Sequence, residues 1–177
     1  LAGLTLSDQI WGLLDPQSLL PHDAASMDLD LTGLLKVNED LFDPATMAEP
    51  TLPEGTDPAA MPEPQPDPIV PTEVTINQFA LDMLGAKVAA QGVLKAADGG
   101  DITTTPPVGQ ISAQLEGVNG LLDKLAAMGL MPEEQVMGMR MMLGLFAKPV
   151  AEGEDKLTSD LEFKEDGTIF ANGQQVK

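Results

Sequence analysis

Cysteine and tyrosine are absent from the 177 residues, histidine and tryptophan occur once each, and lysine and arginine together number nine. Each scarcity removes a class of function. Without thiols there is no disulfide, no cysteine nucleophile and no cysteine-ligated zinc or iron–sulfur centre. That absence suits the cytosol and the periplasm alike. Aromatics make up only 3% of the chain, which leaves the core to Leu, Val, Ile, Ala and Met. Such a core packs adaptably but lacks the large areas that aromatic rings bury. Nine basic against 28 acidic residues give a net charge of −19. A field of that sign repels phosphate backbones and anionic headgroups, so nucleic acid is not an expected partner. Solubility accounts for the charge without invoking any partner; calcium or a cationic partner is the sharper alternative. No apolar run reaches the roughly 18 residues that mark a membrane-spanning helix. The chain opens at Leu1 with neither Met nor a basic leader, and the expectation is a processed chain or a fragment.

What is present is globular in composition, with 43% hydrophobic residues. Leu6–Leu14 reads as a short helix, with Ser7 at the N-cap position and Ile10, Trp11, Leu13 and Leu14 on an apolar side, stopped by Asp15–Pro16. Ser26–Thr32 alternates strictly: Met27, Leu29 and Leu31 against Asp28, Asp30 and Thr32. That pattern predicts a strand with one buried and one wet face. Asp43–Thr72 is dense in proline and acid and holds no base, so neither helix nor ladder can propagate; an extended loop or linker is expected. Val74–Leu84 is strand-like, but its apolar phase changes near Gln78, which predicts a bulge or bend. Ala86–Lys95 follows, and Asp98–Asp101 carries a hairpin signal. Gln110–Glu116 alternates again through Ile111, Ala113 and Leu115. Two helices come next. The first is capped by Asn119, has Leu121, Leu122, Leu125 and Met128 on one side, and ends at Gly129. The second has Pro132 at its first position and runs to about Ala147. A final hairpin joins Leu157–Phe163 to Thr168–Ala171 through Glu165–Gly167.

Candidate chemistry is thin. Met137, Met139, Met141 and Met142 resemble the thioether pattern of copper carriers. On a helix, however, residues two apart point roughly 200° away from each other, so Met137 and Met139 cannot share an ion; packing or groove lining is the better reading. Arg140 lies among these methionines as a salt-bridged or snorkelling side chain, or as a candidate anion contact. Trp11 reads as a packing anchor. His22, the sole histidine, has Asp23 beside it and no nucleophile motif anywhere, so it reads as structural or solvated. Asp28 and Asp30 share a face and could hold a cation or run a metal-dependent hydrolysis. Solvated strand carboxylates are the plainer reading. The calcium-loop spacing, the phosphate-binding glycine loop, the serine elbow and the dinucleotide fingerprint are all missing. No cofactor or metal is expected, and the chain does not read as an enzyme.

Several blocks carry a family likeness. They are Leu14-Asp15-Pro16 with Leu20-Pro21-His22-Asp23, then Leu84-Gly85-Ala86-Lys87 and Gly120 to Leu130. Met131-Pro132-Glu133-Glu134-Gln135 follows, then Met137 to Met142, Asp155 to Ser159, and Ala171-Asn172-Gly173-Gln174. Together they resemble the C-terminal part of the alphaproteobacterial domain-of-unknown-function family 2125, over most of the chain except the proline-rich insert. The resemblance implies a longer exported parent protein, located in the periplasm or envelope. It implies no reaction, ligand or site residue. Its sheet-and-helix units are similar in outline to envelope proteins that hold acyl chains in a curved sheet, an analogy of fold alone.

The expected architecture is α+β, a mostly antiparallel sheet packed against a helical pair. Residues 1–42 supply an N-terminal helix and strand, 43–72 the insert, and 73–177 the core. The expected role is binding or scaffolding. A candidate apolar groove between sheet and helices is lined by Leu121, Leu125, Met128, Val136, Met139, Leu143 and Phe146, and takes a lipid or an apolar protein segment. The alternative is a structural C-terminal subdomain docked on the N-terminal part of the same parent chain.

Overall fold

The computed structural model describes residues 3–38 and 67–177. Apolar–polar alternation produces four long strands: β1 (Ser26–Val37), β2 (Ile69–Met83), β3 (Ala86–Ala96) and β4 (Pro107–Glu116). Helix α1 (Asp8–Leu14) precedes them, and helices α2 (Val118–Ala127) and α3 (Glu133–Phe146) follow. The chain closes with β5 (Lys148–Pro149), β6 (Lys156–Phe163), β7 (Ile169–Ala171) and β8 (Gln174–Gln175). All eight strands form one sheet in the order β1-β2-β3-β4-β6-β7-β8, with β5 pairing to β6. Among the described residues the pairings are antiparallel throughout. The fold is therefore the α+β arrangement that the element order predicts.

Residues directly opposite in an antiparallel ladder share a face. Leu29, Phe79, Ala90, Ala113 and Ser159 form one rung, and Leu31, Ile76, Gly92, Ile111, Leu161 and Ala171 form the next. Val74, Leu94, Gly109, Phe163 and Ile169 form a third. One face of the sheet is thus apolar from edge to edge. The other carries rungs such as Thr75–Val93–Gln110–Glu162 and Asp28–Ala80–Ala89–Gln114–Thr158. The predicted phase change is a real bulge. Between Ile76 and Phe79 the register slips on β3, and on β1 it slips between Asp30 and Leu31. The extra residue at Asn77–Gln78 returns Ile76 and Val74 to the face of Phe79 and Leu81.

Two expectations about burial fail. β1 runs on to Val37 rather than stopping at Thr32, and beyond its first residue both its faces are exposed. It is the edge strand, and among the described residues nothing covers its apolar side. α1 likewise buries only Trp11, while Leu13 is 81% exposed. The proline-rich insert lies outside the described residues as far as 66. From Ile69 onward the chain is strand rather than linker. Pro71 is tolerated there because β3 pairs no further than Glu73, so the missing N–H breaks no bond on that side.

Connections also differ in detail. The tight turn is Leu84–Gly85, both at positive φ (55° and 81°), joining β2 to β3. Asp98–Asp101 begins a longer connection to β4, in which Asp101 accepts bonds from Thr103, Thr104 and Thr105. Asn119 sits inside α2 and is not its cap. The N-cap residue is Gly117 at φ 74°, where an added Cβ would lie 2.3 Å from the Gly85 carbonyl oxygen. The capping carboxylate comes from Asp155, which accepts Gly120 N–H at 2.7 Å, Asn119 N–H at 3.2 Å and the Asn119 side-chain amide at 2.8 Å. It satisfies helix donors that would otherwise be orphaned and sits at the positive end of the helix dipole. Gly129 closes α2 as predicted, with Leu130 N–H bonding Leu125 O and Gly129 N–H bonding Ala126 O. Pro132 is the N-cap residue of α3, one place earlier than predicted.

Asp155→Ala is expected to cost about 1 kcal/mol, the usual value of a lost cap. Gly117→Ala, strained in both φ and contact, is expected to cost more than about 2 kcal/mol. Urea unfolding midpoints of the two variants check both figures.

Candidate functional site

The helices cover only part of the apolar sheet face. Ser159, on the Ala90–Ala113 rung, is 6% exposed and donates to Phe146 O at 2.6 Å. Asn172 Nδ2 donates to the same carbonyl at 3.0 Å. The C-terminal end of α3 therefore sits over β6 and β7, where Ala147 and Ala171 are buried. Toward β1 the cover gives out: Leu29 and Leu31 are each 51% exposed and Leu35 is 66% exposed. The face is one continuous apolar surface, partly covered at the β6–β7 end and open at the β1 edge.

The predicted groove residues are divided by this arrangement. Val136 is buried, Leu121, Leu125, Met128 and Leu143 are half-buried, and Met139 and Phe146 are exposed. Leu122, which was not placed in the groove, is the most buried residue of α2 at 3%. Its position one residue after Leu121 was visible, but the apolar stripe of a helix is too wide for sequence to choose its centre. Met137, Met141 and Met142 form an exposed surface of α3. Arg140 is salt-bridged: its guanidinium donates to Asp123 Oδ1 at 2.6 Å and to Asn119 O at 3.3 Å. It ties α3 to α2, which uses part of its capacity to contact an external anion.

Shallow, solvent-open hollows mark the polar face. They adjoin one another, with volumes of about 780, 710 and 460 Å³. Their lining includes Thr75, Gln91, Gln110, Ser112, Gln114 and Asp160. Amides and hydroxyls share this lining with alanine and valine, and lysine–acid pairs mark its margins. Lys95 meets Glu73 at 3.0 Å, Lys87 meets Asp82 at 3.1 Å and Lys156 meets Glu116 at 3.7 Å. Each of these pairs is cross-strand and, apart from the half-buried Glu73, exposed, so each contributes little to stability and chiefly supports register. Asp28 and Asp30 open on this face as solvated carboxylates, accepting from the amides of Gln78 and Asn77. Among the described residues no group of three or more His, Asp or Glu side chains is placed to hold a metal.

One polar cluster was not foreseen. Asp15 is only 1% exposed and accepts Leu19 N–H at 2.9 Å and Leu20 N–H at 2.7 Å. His22 Nε2 lies 3.5 Å from the same carboxylate, and the imidazole stacks on Trp11 with ring centroids 4.1 Å apart and planes 10° apart. Trp11 is thus a packing anchor and His22 a structural partner. Burial opposes the charge on Asp15, yet the two backbone bonds and His22 outweigh it and hold the carboxyl below its usual range. At Asp155 burial is likewise overcome, here by the bonds from Gly120 and Asn119 and by the nearby Arg140 charge. In sequence Asp15 reads only as a helix stop before Pro16. What it lacks is any local sign that the chain turns back to surround it.

These features define a class: an α+β protein built on a single sheet, apolar on one face, in which the described carboxylates that are most strongly held serve structure. More narrowly, the chain belongs to the bacterial family described as "uncharacterized protein conserved in bacteria", domain of unknown function 2125, whose family model matches residues 14–175. No match was found among curated proteins or among solved structures.

Asp15 and Asp155 are depressed in the folded state. Their contribution is therefore present above the ordinary carboxylate pKa and is lost as pH falls through the depressed folded values. Stability is expected to drop between about pH 5 and pH 2. Asp15→Asn should be less stable than the parent at neutral pH and flatter in acid. Thermal melts across that range check the order.

Proposed function

We propose that the protein is a non-catalytic binding or scaffolding module of the bacterial envelope, exported to the periplasm. Its open apolar sheet face holds a lipid acyl chain or an apolar protein segment. The observation that carries this reading is the run of apolar rungs left uncovered toward Leu29, Leu31 and Leu35. Exposed apolar patches of this extent mark contact surfaces in soluble proteins. Completing the burial of each such side chain is worth roughly 1 kcal/mol, so a ligand spanning several rungs gains enough to bind. The family likeness supports the export assignment, and among the described residues no helix is long and apolar enough to cross a membrane.

A second reading has its own observation. Met137, Met141, Met142 and Leu145 are 68%, 74%, 62% and 53% exposed on α3. An apolar helix face of that kind suits a structural subdomain docked on another part of the parent protein.

Organic extraction of protein purified from envelope fractions, followed by mass spectrometry, is expected to release co-purified lipid. Repeated recovery of none would sink the lipid version. The double variant Leu29→Asp with Leu31→Asp should lose at least about tenfold in affinity for a fluorescent fatty acid, the order of magnitude that a few half-buried side chains supply. Its melting temperature should stay within about 2 °C, because those side chains are already exposed. Equal binding by parent and variant would remove the β1 face from the account.

A further inference from the structure

We infer that the outer edge of β1 pairs with the outer edge of β1 in a second copy of this chain, antiparallel and centred on Thr32, so that two sheets join about a twofold axis. The first support is the direction of the backbone. Leu34 O accepts from Thr72 Oγ1 at 3.2 Å, and Asn38 N–H donates to Pro68 O at 2.9 Å. Even-numbered residues of β1 therefore turn their backbone groups toward β2. Leu29, Leu31, Gly33 and Leu35 turn theirs away from it, to a side where, among the described residues, the sheet order places no further strand. Ala25, in this same phase, exchanges two bonds with Leu4, at 3.0 and 2.8 Å. That edge is thus already used for pairing at its start, and the remaining stretch, Asp28–Lys36, is long and carries no inserted residue of its own, because both register shifts against β2, at Asp30/Leu31 and Leu34/Leu35, add their extra residue to β2. Open edges of this kind are templates for another strand.

The second support is that the strand is complementary to itself. With Thr32 opposite Thr32, Leu31 falls opposite Gly33, Leu29 opposite Leu35, and Asp28 opposite Lys36. Leucines then meet on the apolar face, and Leu31 fills the space beside Gly33. Gly33 is held small by the Glu73 carbonyl, which an added Cβ would meet at 2.9 Å. Shifting the centre to Gly33 would set glycine against glycine and leave a gap at the axis. Charge points the same way. Lys36 makes no ion pair among the described residues, and Asp28 accepts only a 3.5 Å bond from the Gln78 amide. The pairing gives both the cross-strand partner that Glu73, Asp82 and Glu116 already have inside the sheet. Both copies carry the same net charge of −19, so pairing should be favoured at about 0.15 M salt, where long-range repulsion is screened.

The chain has no cysteine, which makes the register directly testable. Thr32 would lie in a non-hydrogen-bonded pair, with Cα atoms about 4.5 Å apart, within disulfide range. Thr32→Cys should give a covalent dimer on mild oxidation, while Asp30→Cys and Leu34→Cys, tested singly, should not. The reduced Thr32→Cys protein should melt like the parent, which separates failure to pair from failure to fold. Sedimentation should show a dimer that Lys36→Glu weakens about tenfold, by placing like charges opposite one another twice per dimer. Adding Asp28→Lys to that variant should restore it. A parent chain that stays monomeric at high concentration, or equal cross-linking from positions 30, 32 and 34, overturns the proposal.

Discussion

Everything in this molecule depends on the register of one antiparallel sheet. Because opposite residues share a face, the ladder gathers the apolar residues of β1, β2, β3, β4, β6 and β7 on one side and leaves amides, hydroxyls and ion pairs on the other. A slip of one residue in any strand would carry its apolar set to the wet side. The bulge at Asn77–Gln78 is how β2 avoids that outcome. It absorbs the phase change in the sequence and keeps Ile76 and Val74 in line with Phe79 and Leu81.

A sheet with one apolar face needs cover, and here the cover is partial. α2 and α3 are inserted between β4 and β6; α2 packs toward β3 and α3 toward β5 and β6, away from the far edge at β1. Asp155 fixes the start of α2, Arg140 ties α3 to α2 through Asp123, and the Phe146 carbonyl receives Ser159 and Asn172. These polar ties position the helices without burying much of their own apolar surface. The consequence is an apolar surface open at β1 and a second one on α3. The net charge of −19 opposes indiscriminate association of such surfaces, because like-charged copies repel one another until salt screens them.

Much of the fold was legible because strand alternation is a local signal. The strands at Gln110–Glu116 and Leu157–Phe163, the bulge after Ile76 and the terminator Gly129 all follow from residue spacing. What failed were features set by distant chain. Asn119 looked like the cap of α2, but the carboxylate arrives from Asp155, 36 positions away. Met27, Leu29 and Leu31 looked like the buried side of a strand. Alternation reports that a strand has two unlike faces, not whether anything lies against the apolar one. The same limit applies to the candidate groove. Spacing placed Leu121, Leu125 and Val136 on inward faces, but it could not tell that Met139 and Phe146 would stay exposed or that Arg140 would close on Asp123. Asp15 was missed because only the turn through Leu19 and Leu20, folding back over it, makes it more than a helix stop.

The claim at the centre of this account is that the β1 end of the apolar sheet face is a contact surface. Methyl-resolved NMR during titration with a medium-chain fatty acid tests it most directly, because it reads each surface separately. The account predicts saturable shifts at the methyl groups of Leu29, Leu31 and Leu35, with Met137 and Met141 on α3 unmoved. Saturable shifts confined to the α3 methionines, or none at any of these positions, would contradict it.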